Sequence, residues 1–333
     1  MSVEIKAVEI KPLRNTFTGV AALIGGDKPA SRYQEATLDT QARTNFHYRP
    51  TWEPEFELFD PRRTALQMRD WYDLRDPRQL YYSSWTIQRA KEQETQEANF
   101  DFVESRCLHL SLPEDVKSLA LKVLLPLRHA AWAANMNNSE LCARGYSETI
   151  IAPAIMHAMD NLGIAQYLTR LGLALGEPEV LDVAKAQWME GDTWQPLRRL
   201  IEDSFVLRDF MEILVMQNFV MDGLLYPLIY DRFVDGHLTS KGGSAVAMLT
   251  AFMPNWFTQS GKWVDGALKV AVAESEHNKN VVSQWTQQWR KRVVEVLGPL
   301  SALAFGEGGN AMLAEVVDQF DTRARKLGIE VLA

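Results

Sequence analysis

Cysteine is nearly missing from this sequence: Cys107 and Cys142 are the only two in 333 residues. Two thiols cannot build a disulfide framework or a Cys-rich zinc site, and both lie in helical sequence, so both read as reduced. Histidine is scarce as well, which limits any imidazole-based metal centre to His47, His109, His129, His157, His237 and His277. No apolar run reaches the roughly 20 residues that cross a bilayer. The apolar stretch from Val20 to Ile24 is shorter than a secretion-signal core. Positive charge is not in excess: 35 Lys and Arg against 43 Asp and Glu give a formal charge of -8, which argues against nucleic acid or an anionic membrane as partner. The one compact basic cluster, Arg290, Lys291 and Arg292, fits a solvated helix end. No Gly-x-Ser-x-Gly elbow, Walker loop or strand-turn-helix dinucleotide unit occurs. Gly306 to Gly309 have no strand before them and read as a loop. These absences predict a soluble, cytoplasmic protein.

What is present is an apolar content of 47% with 23% charged residues, ample for a large core. Residues 1–60 hold no sustained period and repeated prolines, yet carry Phe17, Tyr33, Phe46, Tyr48, Trp52, Phe56 and Phe59. Disordered segments lack such rings, so the segment reads as an extended arm. It packs either on the chain's own helices or over another subunit. Residues 61–333 read as one helical domain, with helices at 62–73, 77–107, 113–145, 147–175, 178–190, 194–235, 244–252, 260–297 and 308–328. Ser111 with Glu114 reads as a capping box, Asp76-Pro77 as a helix start, and Gly176, Gly191 and Gly236 as stops. Two long pairs separated by a shorter helix predict an all-α four-helix bundle, with kinks or openings at Pro153 and Pro227.

The sharpest motif is Glu274-Ser-Glu-His277. On one helix, positions three apart share a face, and Val270, Glu274, His277 and Val281 follow a mostly apolar stripe, so both polar groups are expected to point inward. A di-iron carboxylate site needs two such Glu-x-x-His pairs and two further Glu. His157, in the earlier long pair, has Ala154 where its carboxylate would belong. On 113–145 the amides Asn135, Asn137 and Asn138 occupy the inward region, with Glu140 as an uncertain substitute; on 194–235 the stripe through Phe210, Ile213 and Met221 passes Gln217. Amides are poor iron ligands. The pattern is that of a metal bundle whose ligands have mostly been replaced. Glu274 and His277 are read as a buried hydrogen-bonded pair, His157 as a core histidine and the amides as a network.

The run Asp73-Leu-Arg-Asp76-Pro77-Arg78-Gln79-Leu-Tyr81-Tyr82-Ser-Ser-Trp85 with Arg89, together with the aromatic arm and the LRHAAWAANMNNSE helix, resembles β subunits of bacterial multicomponent monooxygenases, phenol hydroxylases first and toluene/o-xylene enzymes next. The resemblance implies a ferritin-like (ribonucleotide reductase-like) bundle that binds no cofactor of its own. It implies an α2β2γ2 hydroxylase whose α subunit carries the di-iron centre and hydroxylates aromatic rings with O2, and partners that include γ, a regulatory protein and an NADH-dependent FAD/iron–sulfur reductase. Ala154, His157, Glu274 and His277 would then be degenerate di-iron positions. Arg78, Tyr81, Tyr82, Trp85, Trp52 and Phe56 are interface candidates, because aromatic and Arg residues dominate interface energetics; internal packing is the other reading. Two alternatives stand beside the subunit: a self-sufficient di-iron oxidase or ferritin-like iron protein, which needs two complete ligand pairs, and a free-standing helical adaptor.

Overall fold

A computed structural model describes residues 16–26, 29–40 and 49–331. Thirteen α-helices of four residues or more organise them, and no strand occurs among the described residues. Two short helices, α1 (Thr18–Ile24) and α2 (Arg32–Thr37), lie in the arm. Then follow α3 (Tyr82–Ser105), α4 (Glu114–Leu124), α5 (Leu127–Arg144), α6 (Glu148–Leu175), α7 (Val180–Glu190) and α8 (Gln195–Ser204). The second half holds α9 (Phe210–Lys241), α10 (Ser244–Leu249), α11 (Phe252–Glu274), α12 (Glu276–Phe305) and α13 (Gly309–Lys326). The antiparallel pair α5 and α6 packs against α9 and α11, and α12 and α13 cover the far side of α9.

The expected all-α bundle is present, with several local differences. The 113–145 helix is two, broken at Leu125–Pro126 where the proline lacks the N–H to continue the first. The 77–107 helix begins only at Tyr82, because Asp76 accepts from the Arg78 backbone N–H (2.9 Å) and Gln79 sits at φ 53°, which makes a turn of the 76–79 stretch. Ser111 makes no cap for α4; its Oγ donates back to Leu108 O (2.9 Å). The 194–235 helix is two, because the Asp209 carboxylate caps a new start by accepting from the N–H groups of Met211 (2.9 Å) and Glu212 (3.1 Å). The 260–297 helix is also two. Ser275 leaves the helical region (φ -162°, ψ 158°) and its Oγ accepts from Asn278 N at 3.1 Å, an N-cap in the middle of Glu274-x-x-His277. Gly176 and Gly191 end their helices, whereas Gly236 lies inside α9, which stops at Gly242 with φ 90°.

Helix α9 is the buried axis. It is long and apolar enough to cross a membrane, but 94% of its most apolar window is buried within the bundle. Leu214–Met221 and Pro227–Leu238 are π-helical. Proline lacks the N–H that an α-helical turn would use and crowds the carbonyl four residues before it, so widening near Pro227 relieves both problems. The segment before α3 runs as short 3-10 turns, Pro61–Arg63 and Trp71–Asp73, rather than a helix. In the arm, Val20 and Leu38 pack on Tyr72, and the Tyr33 hydroxyl accepts from Asp76 N at 3.0 Å, so this part covers the chain itself. Phe46, His47 and Tyr48 lie outside the described residues.

An N-cap hydroxyl contributes about 1 kcal/mol. Ser275→Ala should therefore lower the unfolding free energy in urea by about that amount, whereas Ser275→Asn should keep most of it. Equal stability of the Ala variant and wild type would contradict the cap.

Candidate functional site at the bundle centre

Helix α6 turns a single stripe inward: Pro153, His157, Asp160, Ile164, Leu168 and Leu171, all buried at spacings of four and three. A bare carboxylate there would be costly. Asp160 instead accepts four donors: Arg89 Nε on Oδ1 (2.7 Å) and Nη2 on Oδ2 (2.7 Å), Trp85 Nε1 on Oδ1 (3.1 Å) and Trp256 Nε1 on Oδ2 (2.9 Å). Helices α3, α6 and α11 meet on that one group. Arg89 reaches Glu92 with its remaining nitrogen at 2.5 Å. One turn back, the His157 imidazole is wedged between Trp256 and Trp263, with ring centroids 5.1 and 4.9 Å away. Burial holds its pKa well below the usual range, helped by the charges of Arg78 and Arg89, so it is neutral.

A ladder of amides runs between α5 and α9. Asn138 and Asn218 exchange Nδ2 to Oδ1 bonds at 3.0 and 2.8 Å. Asn137 Nδ2 donates to Ser204 Oγ and Gln217 Oε1, both at 2.9 Å, and Gln217 Nε2 donates to Asp222 Oδ1 at 2.9 Å. Asn135 reaches across to the Ala158 carbonyl (2.7 Å). The π-helical turns of α9 present Gln217 and Asn218, adjacent in sequence, to neighbouring rungs. Burial pushes the Asp222 carboxyl up to about 7, against the lowering pull of the Gln217 bond and the Arg323 charge. A cavity of about 20 Å³, bordered by Asn161, Gln217, Asp222 and Tyr226, remains beside the ladder.

The sequence-proposed metal positions are not brought together. Ala154 and His157 are in the centre, 0% and 1% exposed. Glu274 lies eleven residues beyond Trp263 on α11, a rise of about 16 Å, and His277 is exposed on the next helix. The inward reading of Glu274 and His277 is thus corrected: α11 buries Val264, Ala267, Leu268 and Ala271 rather than the Val270–Glu274 stripe, and the helix that starts after Ser275 leaves His277 exposed with Asn278 as the buried neighbour (0% exposed). Together they clamp the 65–69 segment. Glu274 Oε1 accepts from Arg69 N (3.1 Å) and Nε (2.9 Å), His277 Nε2 lies 2.9 Å from Ala65 O, and Asn278 bonds both the N–H and the carbonyl of Gln67 (2.9 and 2.8 Å). The Arg69 bonds hold the Glu274 carboxyl below its usual range. Glu140 is ion-paired with Arg144 at the bundle edge.

This donor set does not fit a di-iron group. Iron takes carboxylates and imidazoles whose lone pairs face a common point; here Asp160 is saturated, the amides bind one another, and His157 faces indoles. Among the described residues no group of three His, Cys, Asp or Glu converges as a metal requires. Of the interface candidates, Arg78 and Trp85 are half-buried and bonded within the chain. Arg78 folds back onto Asp76 (2.8 Å, side chains 7% and 0% exposed), and Trp85 belongs to the Asp160 cluster. Trp52 and Tyr82 are 73% and 70% exposed, Tyr81 is half-buried, and Phe56 lies under Arg63 at 4.7 Å. Sequence reasoning missed Asp160 and Asp222. Each is the sole carboxylate in a long stretch of helix without Lys or Arg, residues 149–169 and 213–230 respectively, and that isolation is the signal that could have found them.

Residues 52–275 match the model of a family described as methane/phenol/alkene hydroxylase. The chain is similar to DmpL, the oxygenase component of phenol 2-monooxygenase of Pseudomonas sp. (strain CF600), with 48% identity over 332 residues and 99% of each chain covered. It is also similar to subunit beta of the hydroxylase component of the toluene-4-monooxygenase system of Ectopseudomonas mendocina, with 21% identity over 248 residues, 72% of each. Among solved structures, xenon-pressurized phenol hydroxylase from Pseudomonas sp. OX1 superposes with a TM-score of 0.91 at 39% identity, covering 99% of both chains.

Removing one partner of a buried ion pair costs about 3–5 kcal/mol, and the Asp160 and Arg89 side chains are 3% and 12% exposed. Asp160→Ala should lose about that much stability in denaturant titrations; a loss under about 1 kcal/mol would contradict the bridging role. For Asp222, the native carboxyl keeps its proton up to about 7, while the unfolded one loses it near 3.9. Stability thus falls as pH rises from about 4 to about 7. The neutral His157 acts in the opposite sense below about 6.5, equally in wild type and variant. The melting-temperature difference between Asp222→Asn and wild type should therefore shift in the variant's favour from pH 5 to pH 8. A pH-independent difference would contradict it.

Proposed function

The chain belongs to the methane/phenol/alkene hydroxylase family, and we propose that within it this is the non-catalytic β subunit of a phenol- or toluene-hydroxylating enzyme. The observation that carries the reading is the filling of the bundle centre: amides on α5 and α9, a fully bonded Asp160 and Ala154 stand where inward ligands would be needed. The chain acts as a scaffold. It supports an α subunit that holds the di-iron centre and hydroxylates aromatic rings with O2, in a cytoplasmic α2β2γ2 hydroxylase. Electrons come from NADH through an FAD/iron–sulfur reductase, and a regulatory protein docks on the assembly. The name of the toluene-4-monooxygenase relative, a subunit beta of a hydroxylase component, supports a division of labour of this kind. Residues 61–333 form the ferritin-like domain, and the 1–60 arm adds contacts beyond it, with exposed Trp52 and Tyr82 as anchors toward α.

Metal analysis and mass measurement test this directly. The chain expressed alone should carry no iron, and co-expression with α and γ should give a hexamer whose iron resides with α. Stoichiometric iron in the isolated chain would replace the reading with a self-sufficient di-iron protein. Glu274→Ala, which frees the 65–69 segment, should reduce stability or assembly yet leave iron per complex unchanged; loss of about half the iron would contradict the scaffold role.

A further inference from the structure

Helices α5 and α6 bury one side in the bundle and leave the other bare. On that outer side Trp132 (51% exposed) and Met136 (37%) stand one turn apart on α5. On α6, Ile155 (38%), Met159 (38%), Leu162 (44%) and Leu173 (48%) follow helical spacing. The intervening positions on this side are Ala152, Gly163, Gln166 and Thr169, so the middle of the strip has no charge. It ends in two concavities. One, of about 420 Å³, lies between Trp132, Leu173 and the cations Arg128 and Arg170; the other, of about 250 Å³, joins Ile155 and Met159 to Tyr82.

We propose that this α5/α6 strip is the seat of the large iron-holding subunit, which rests on the β-subunit reading above. From Ile155 to Leu173 the strip is about 27 Å long, and two helices packed 8–10 Å apart make it about 20 Å wide. Its area of roughly 500 Å² is most of the about 800 Å² that each side of a standard interface buries. It also lies at the upper end of what soluble monomers leave bare. Absence of charge at the centre, with charged groups (Arg128, the Arg170–Glu97 ion pair and Glu148) only at its ends, is the composition of an interface core with a polar rim.

The test uses the complex assembled by co-expression. Leu162→Glu and Trp132→Glu should each cut the large subunit co-eluting with this chain at least tenfold. Val206→Glu, at a 78% exposed site before α9, should leave it at the wild-type level. Normal assembly of both strip variants beside an intact wild-type complex would overturn the proposal while leaving the subunit reading standing. Failure of the wild-type chain to assemble with the large subunit would overturn both. Self-association of the isolated chain that Leu162→Glu abolishes would assign the strip to a second copy and also overturn the proposal. Should the Glu variants melt early, hydrogen exchange on wild type decides: protection over residues 128–136 and 152–173 on assembly is expected, and unchanged exchange there overturns it.

Discussion

A carboxylate enclosed by helices must be met by donors or by a cation, and the architecture of this chain turns on how Asp160 is met. Its two oxygens take the Arg89 fork and the indole N–H groups of Trp85 and Trp256, so α3, α6 and α11 are tied at one point of the bundle. Trp256 then presses on His157, and burial keeps that imidazole neutral. Each group is held by its neighbours, and none has lone pairs aimed at a shared vacant point. Such a centre favours one fixed packing arrangement.

The amide ladder between α5 and α9 extends the same logic. Asn137, Asn138, Gln217 and Asn218 satisfy each other in pairs without net charge, so the interior carries a polar network without a counter-ion. Asp222 at the end of the ladder is the remaining ionisable group, and burial moves its titration to about 7. A ferritin-like bundle can thus hold its shape around an interior built of hydrogen-bonded amides. The physical requirement is that buried polar groups find partners, which Asp160 and the amides do, although the Trp263 indole N–H beside His157 has none among the described residues.

Much of this was legible in the sequence. The all-α bundle followed from helical periodicity, and Asn137, Asn138 and Gln217 were placed inward as an amide network, the bonds they make. One reading failed for a local reason. Ser275 was taken as an interior residue of a long helix, but its hydroxyl caps a new one, and Glu274 and His277, on either side of that break, hold residues 65–69 instead of facing the core. Arg78, read either as an interface anchor or as internally packed, is folded onto Asp76 by the turn at 76–79. Side-chain caps and turns are decided by one or two atoms, and periodicity does not register them. The isolation of Asp160 in its helix was legible, but its partners were not, because Arg89, Trp85 and Trp256 are brought to it only by tertiary packing.

The central claim is that the interior of this chain is a self-satisfied polar network in a hydroxylase whose metal lies elsewhere. Anomalous diffraction at the iron edge from crystals of the assembled hydroxylase tests it most directly. The account predicts iron peaks only within the large subunit and none between α5, α6, α9 and α11 of this chain. An iron peak beside Asp160, His157 or Gln217 would contradict it.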